Sequence, residues 1–375
     1  MPSVHLEHKY HVMQLNALIR ALETWAPTAL QESYDNSGLI TGHPEQEITG
    51  VLVSLDVTEA ILDEAKARGC NVIVSHHPIV FSGLKRLTGK TAVERIIIRA
   101  IREGIALYAI HTNLDNVAHG VNQAIAARLG LESCRILSPM QGRIRQLVTY
   151  VPQAQAEGVR TALFEAGAGR IGNYSECSFS LTGTGSFKPE SGAMPVIGQT
   201  GVRHLEAEER IEVLYPDWLE RDVLQALRKS HPYEEIAYQT WTITNQHQAI
   251  GAGMLGKLPA PVKADAFLDS LKTTMKASVI RHTALVKETV EHIAVCGGSG
   301  SFLLPAAISA GADLFLTADF KYHQFFEADD KLIVADIGHF ETEQFTIDLL
   351  TDFLRGKFTT FAVRATELNT NPVHY

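Results

Sequence analysis

His76 and His77 close the apolar run Asn71-Val72-Ile73-Val74-Ser75 and are followed at once by Pro78. Imidazoles delivered at the carboxyl end of a buried strand are natural metal ligands, because open α/β sheets place their sites along that edge. Side chains alternate along a strand, so neighbouring histidines point to opposite faces; the proline ends the ladder here and lets both rings turn toward one cavity. A second run, Ile105-Ala106-Leu107-Tyr108-Ala109-Ile110, leads into His111-Thr112-Asn113-Leu114-Asp115. A third, Leu332-Ile333-Val334-Ala335-Asp336, leads into His339-Phe340-Glu341-Thr342-Glu343, where a helix would put His339 and Glu343 on one face. The sum is three imidazoles, His76, His77 and His339, with two carboxylates, Asp115 and Glu343. Shared between two divalent ions, these donors leave each ion short of four ligands unless carboxylates bridge and water fills open positions. Open positions imply reactivity or substrate binding. Nitrogen with carboxylate oxygen suits zinc, iron(II), manganese or cobalt better than magnesium or calcium.

Three further groups stand near such strand ends. His111 reads as a direct ligand, as a donor supporting one, or as a structural hydrogen bond. Asp319, Tyr322 and His323 lie at another strand-to-helix junction, where Asp319 and His323 could position substrate or shuttle protons; the plain alternative is a capping aspartate and a surface histidine. Gly297-Gly298-Ser299-Gly300-Ser301 falls between a strand and a helix, where backbone N–H groups could cradle a phosphate, or simply make a tight turn.

The elements that must position these residues follow an alternating pattern. After an amphipathic stretch from Gln14 to Trp25, strand-like Gly50 to Asp56 precedes a helical pattern from Thr58 to Arg68 and then the His76-His77 strand. Helical spacing returns at Ala92 to Glu103 and at Val121 to Leu129. Strands alternating with helices of this length predict crossover connections and a largely parallel sheet covered on both faces. Between about 140 and 245 the unit changes: strand Gln146 to Val151, helix Glu157 to Glu165, strand Tyr174 to Thr182, strand Arg210 to Tyr215, helix Trp218 to Ser230, strand Ile236 to Ile243. Two β-α-β units of this kind predict an inserted ferredoxin-like α+β sandwich. From Gly251 the earlier pattern resumes, with a helix near Val262 to Met275, strands His292 to Cys296 and Ala312 to Thr317, and a helix beginning near Tyr322. Gly311-Ala312-Asp313-Leu314-Phe315-Leu316-Thr317 echoes Gly69-Cys70-Asn71-Val72-Ile73-Val74-Ser75 by residue type. The fold expected is therefore α/β, with two pseudo-repeated halves, 1–139 and 246–375, forming one metal-binding unit around the insert 140–245.

Composition bounds the function. A chain of 375 residues with 45% hydrophobic content holds more than one ordinary core, and no stretch reaches the roughly 18 apolar residues of a membrane span. The formal charge of −9 lacks the electrostatic footprint of a protein that neutralises many phosphates, so nucleic acid is not an expected partner. Cys70, Cys134, Cys177 and Cys296 show no Cys-x-x-Cys spacing, and a reducing cytoplasm fits them. Met1 to His11 has no continuous apolar core of a secretory signal, and His5, His8 and His11 read as a solvated segment.

Six motifs in order along the chain carry a resemblance: Tyr34-Asp35-Asn36-Ser37-Gly38-Leu39, Ser75-His76-His77-Pro78, His111-Thr112-Asn113-Leu114-Asp115, Gly297-Gly298-Ser299-Gly300, Asp319-Phe320-Lys321-Tyr322-His323 and His339-Phe340-Glu341-Thr342-Glu343. The chain resembles the Nif-three-like dinuclear metal centre family, also called GTP cyclohydrolase I type 2 homologues. The resemblance implies a toroidal homohexamer holding two metal ions per subunit, with His76, His77, Asp115, His339 and Glu343 as ligands and Asp115 and Glu343 as bridges. It also implies that the insert is of the PII/CutA-like type, with His231-Pro232-Tyr233-Glu234-Glu235 as its motif. The family name implies hydrolytic opening of the guanine ring of GTP by hydroxide held between two ions. His111, His323 and Asp319 would then serve the chemistry, and Gly297, Gly298, Ser299 and Gly300 the phosphates. A non-catalytic metal carrier, or a regulator sensing a small ligand through the insert, is the competing reading.

Overall fold

The structure is a computed structural model that describes residues 13–374. His5, His8 and His11 lie outside the described residues. Two compact units form: one from the residues up to Ser138 together with those from Ala249 onward, the other from 139–248.

The larger unit holds two sheets. In the five-stranded sheet the order is Gly38–Thr41, Ala106–Ala109, Val72–Ser75, Gly50–Ser54, Ala362–Ala365. Val72–Ser75 runs parallel to both its neighbours, and only the Gly38–Thr41 edge is antiparallel. The crossovers are helices Glu59–Ala67 and Ala92–Glu103. Each starts at a threonine whose hydroxyl accepts an otherwise orphaned N–H, Thr58 from Ile61 at 3.2 Å and Thr91 from Glu94 at 3.2 Å. Their apolar faces, Ile61, Leu62 and Ala65 with Ile96, Ile97 and Ala100, bury against Leu52, Ile73 and Leu107. A sheet covered this way needs strands apolar on both faces, which is why Val72–Ser75 and Ala106–Ala109 are buried throughout.

The six-stranded sheet runs Arg281–His282, Ile333–Asp336, Leu314–Ala318, Thr289–Ser299, Gln246–Lys263, Glu132–Gln141. Its middle is again three adjacent parallel strands in chain order, Thr289–Ser299, Leu314–Ala318 and Ile333–Asp336, with an antiparallel strand beyond the third. Phe315, Phe320, Leu303, Leu304, Ala307 and Val334 pack together on it. The helix expected at Tyr322 is instead a 3-10 segment, Tyr322–Ala328, ended by Asp329 and Asp330 in the left-handed region. Gln246–Lys263 is one long strand, paired antiparallel with Thr289–Ser299, where the sequence predicted only that the earlier pattern resumes from Gly251.

The smaller unit is a four-stranded antiparallel sheet in the order Ser178–Phe187, His204–Pro216, Ile144–Pro152, Tyr238–Ile243. Helices Ala156–Glu165 and Glu220–Ser230 bury Val159, Leu163, Val223 and Leu227 against Leu147, Val151, Ile211 and Val213. The strand expected from Tyr174 begins at Ser178, because Tyr174 closes a local turn with Ile171.

Candidate metal centre

The carboxyl ends of the parallel strands of the larger unit converge on a cluster of imidazoles and carboxylates. His76 and His77 follow Ser75 directly, their ring centroids 5.0 Å apart. Asp115 closes the short helix Thr112–Asp115 after the neighbouring strand. On the other sheet the chain leaves Ile333–Asp336, turns at Gly338 (φ 98°), and forms the helix His339–Glu343. One helical turn puts His339 and Glu343 on the same side.

Glu343 is the meeting point. Its Oε2 lies 2.9 Å from His77 Nε2 and 3.0 Å from His339 Nε2, and its Oε1 lies 3.7 Å from His76 Nε2. The His77 and His339 Nε2 atoms are 3.3 Å apart. Burial opposes the charge on Glu343, yet the imidazoles of His76, His339 and His77 hold its carboxyl well below the usual range. Asp115 goes the other way: burial and the negative charge of Glu343 push it well above the usual range.

Each histidine is oriented through Nδ1. His76 donates to the Ile110 carbonyl at 2.9 Å, His77 to Asp56 at 2.7 Å, His111 to Asp35 at 2.8 Å and His339 to Asp319 at 2.7 Å. These acceptors carry no hydrogen, so each Nδ1 keeps its proton and Nε2 is the ring atom turned toward the cluster. His76 is completely buried, and burial lowers its pKa. Its Nε2 nevertheless has no hydrogen-bond partner, and neither has buried Asp115 Oδ1, 3.7 Å away. Two acceptors facing each other in a buried site cost about 1–3 kcal/mol each when left unsatisfied. A cation between them removes that cost, and the donor set of nitrogen and carboxylate oxygen fits a divalent transition metal. His76, His77 and His111 form one group able to hold an ion, and His77, His339 and Glu343 form another.

Gly298 makes room for the centre. It sits at φ 60°, and a Cβ there would lie 2.3 Å from Glu343 Oε1, so the strand can pass the carboxylate only as glycine. The expected phosphate-binding group Gly297, Gly298, Ser299 and Gly300 lies beside the centre on this strand. Thr289–Ser299 is strand through the first three, and the Gly297 and Gly298 N–H groups already donate to Asn122 Oδ1 at 3.0 Å and Thr342 Oγ1 at 2.9 Å.

The other expected residues divide. His111 joins the cluster, its ring 5.2 Å from His76 and 5.4 Å from His77. Asp319 touches the cluster through His339, from a non-glycine backbone at φ 58° of the kind found at constrained functional positions. His323 is not brought in: it is exposed on the 3-10 segment, against Tyr322. Sequence reasoning missed Asp56 and Asp35 as the groups that orient His77 and His111. The available signal was their position: Asp56 lies just past the strand Gly50–Ser54, beside the one that ends in His76.

A cavity of about 530 Å³ opens onto His77, His111, Asp115, His339 and Glu343. A second, of about 460 Å³, reaches His77 and His339 alongside Asp56, Asp319 and Arg281. Among the described residues no helix is long and apolar enough to cross a membrane.

The sequence profile of the family described as Duf34/NIF3 (NGG1p interacting factor 3) matches residues 13–372. The chain belongs to this family. A Halalkalibacterium halodurans protein named GTP cyclohydrolase 1 type 2 homolog is 38% identical over 324 residues, 86% of this chain and 87% of that protein. A Bacillus subtilis protein of the same name is 35% identical over 360 residues, 95% of this chain and 96% of that one. Among solved structures, a Bacillus cereus protein related to NIF3 superposes with a TM-score of 0.84 at 34% identity, covering 97% of this chain and 99% of that one. The mixed α/β architecture with several sheets is thus that of Duf34/NIF3 proteins.

Proposed function

We propose that this Duf34/NIF3 protein is a metal-dependent hydrolase in which His76, His77, Asp115, His339 and Glu343 would hold two divalent ions, Asp115 and Glu343 being the carboxylates able to serve both. The single observation that carries this reading is the pair of buried, unpartnered acceptors His76 Nε2 and Asp115 Oδ1 facing each other beside Glu343. Bound zinc or iron, or manganese or cobalt, would supply Lewis acidity that makes water a nucleophile near neutral pH. The chain's own residues do the rest. His111, fixed through Nδ1 by Asp35, takes or returns a proton at its other ring nitrogen. Asp56 and Asp319 orient His77 and His339. The name carried by the relatives points to a guanine nucleotide as substrate, with ring opening by water at C8 as the reaction.

The same reading covers the rest of the molecule. The strand order and β-α-β-β-α-β succession of the smaller unit support a ferredoxin-like insert of PII/CutA-like type, bounded by 140–245. The matching triplets of parallel strands support pseudo-repeated halves, 1–139 and 246–375. A toroidal homohexamer in the cytoplasm completes the proposal.

Protein purified anaerobically and loaded with zinc or iron should hold two ions per subunit and consume GTP in a chromatographic assay. Asp115→Ala, with the oligomer unchanged by size exclusion, should abolish turnover. A second reading, a metal carrier, draws support from the second cavity, which opens another approach to His77 and His339. No turnover of any nucleotide, together with metal transfer to an acceptor apoprotein, would establish the carrier and reject the hydrolase.

A further inference from the structure

We propose that the cavity over the centre recognises an uncharged planar heteroaromatic ring and makes no provision for phosphates. The inference rests on the hydrolase reading and narrows its substrate class. Two independent features carry it.

The first is the charge of the wall. Among the described residues lining the cavity there is no lysine and no arginine, and Glu32 stands in the wall apart from the carboxylates assigned to the centre. A triphosphate is recognised by guanidinium or ammonium groups or by converging backbone N–H groups. The N–H groups of Gly297 and Gly298, on the strand that borders the cavity, are already committed to Asn122 and Thr342. The wall of this cavity therefore offers a polyphosphate tail no guanidinium or ammonium group, and the two N–H groups of its glycine strand are spent elsewhere.

The second feature is the rim. Tyr34, Phe81 and Phe302 line the same cavity while staying 67%, 54% and 65% exposed. Aromatic rings held at a pocket mouth stack on the faces of planar heterocycles and tolerate many of them, since every such ring has a π-face. Phe81 is set edge-on to His111, with centroids 5.7 Å apart, which puts a stacking surface next to a proton-carrying group. Glu32 adds an acceptor. Its Oε1 is fixed by Asn116 Nδ2 at 3.1 Å, and Asn116 is itself anchored to the Leu30 carbonyl at 2.9 Å. The other carboxylate oxygen is left to accept a ring N–H or amino group. The ligand class is thus an amino-substituted heteroaromatic, at the level of a base or nucleoside.

The test is calorimetric titration of the metal-loaded full chain with guanosine and with GTP. Guanosine is expected to bind at least as tightly as GTP, and Phe81→Ala and Phe302→Ala are each expected to weaken guanosine about tenfold without changing metal content. GTP binding ten times tighter than guanosine, unchanged affinity in both rim variants, or no binding of either probe would overturn the inference. GTP turnover, measured separately, tells the two claims apart. Turnover with phosphate-dependent binding sinks ring selection and spares the hydrolase; guanosine binding with no turnover of any nucleotide does the reverse.

Discussion

At the five-stranded sheet His76 and His77 follow the strand Val72–Ser75 with no intervening residue, whereas at the six-stranded sheet the chain passes Ile337 and Gly338 before the helix His339–Glu343. The anchoring differs in the same sense. His76 is completely buried and fixed by a main-chain carbonyl, while the His339 side chain is 40% exposed and fixed by the carboxylate of Asp319. A ligand tied to the backbone of a central sheet moves only if the sheet moves; one on a short helix, steadied by a side chain, can adjust. The first sheet supplies a fixed wall of the centre, and the second supplies the part that adapts.

Glu343 is where that contrast can be broken, because it belongs to the adaptable side yet reaches the imidazoles of both. Glu343→Gln keeps the shape and removes the charge, and it is expected to lower metal content from about two ions per subunit to fewer than one, read by elemental analysis. Retention of both ions would mean that the first sheet holds them unaided.

Protonation sharpens the comparison next. Burial opposes a charge on His77, but Asp56 and Glu343 outweigh it and raise its pKa to about 9 in the metal-free protein. A histidine raised in this way contributes stability that is whole below its unfolded value of roughly 6.5 and is lost as pH climbs through about 9. Metal-free protein is therefore expected to lose unfolding free energy between about pH 6 and pH 9.5, His77 alone contributing on the order of 3 kcal/mol, measured by urea titration. Metal binding needs these rings deprotonated, so the stabilisation conferred by zinc should grow over the same range. Parallel trends with and without metal would contradict the assignment of His77 as a ligand.

The smallest effect separates the two kinds of anchor. Asp319→Asn should weaken metal binding roughly 10- to 100-fold while the fold melts as before, because the loss is one of ring orientation and ligand basicity. His76 has no such handle, since its acceptor is the Ile110 carbonyl. An unchanged dissociation constant in Asp319→Asn would show that the helix alone orients His339.

The sequence made the centre's five central residues legible because each follows an apolar run or holds a helical spacing, signals that survive without knowledge of the partner. Helices Glu59–Ala67 and Ala92–Glu103 were equally readable, since Thr58 and Thr91 mark their starts and their apolar faces repeat at helical intervals. What stayed hidden depends on distance along the chain. Asp35 lies 76 residues from His111 and Asp56 lies 21 from His77, and no local pattern pairs an acid with an imidazole across such gaps. The Gly297–Gly300 segment is ambiguous for a related reason. Glycine at a phosphate loop and glycine beside a crowding carboxylate look identical in sequence, and only the position of Glu343 tells them apart. Glu132–Gln141 and Gln246–Lys263 escaped because their glycines, prolines and exposed polar residues blur the alternation that marks a strand.

The hydrogen bond from His76 to Ile110 has a kinetic corollary. Ile110 donates its own N–H to the Ser75 carbonyl at 2.9 Å, so the ring is chained to the ladder between two central strands. A cation bound at the Nε2 of that ring would tighten the ladder, so amide exchange at Ile110 should slow when zinc is added, because a ligand that binds the closed state suppresses the openings that permit exchange.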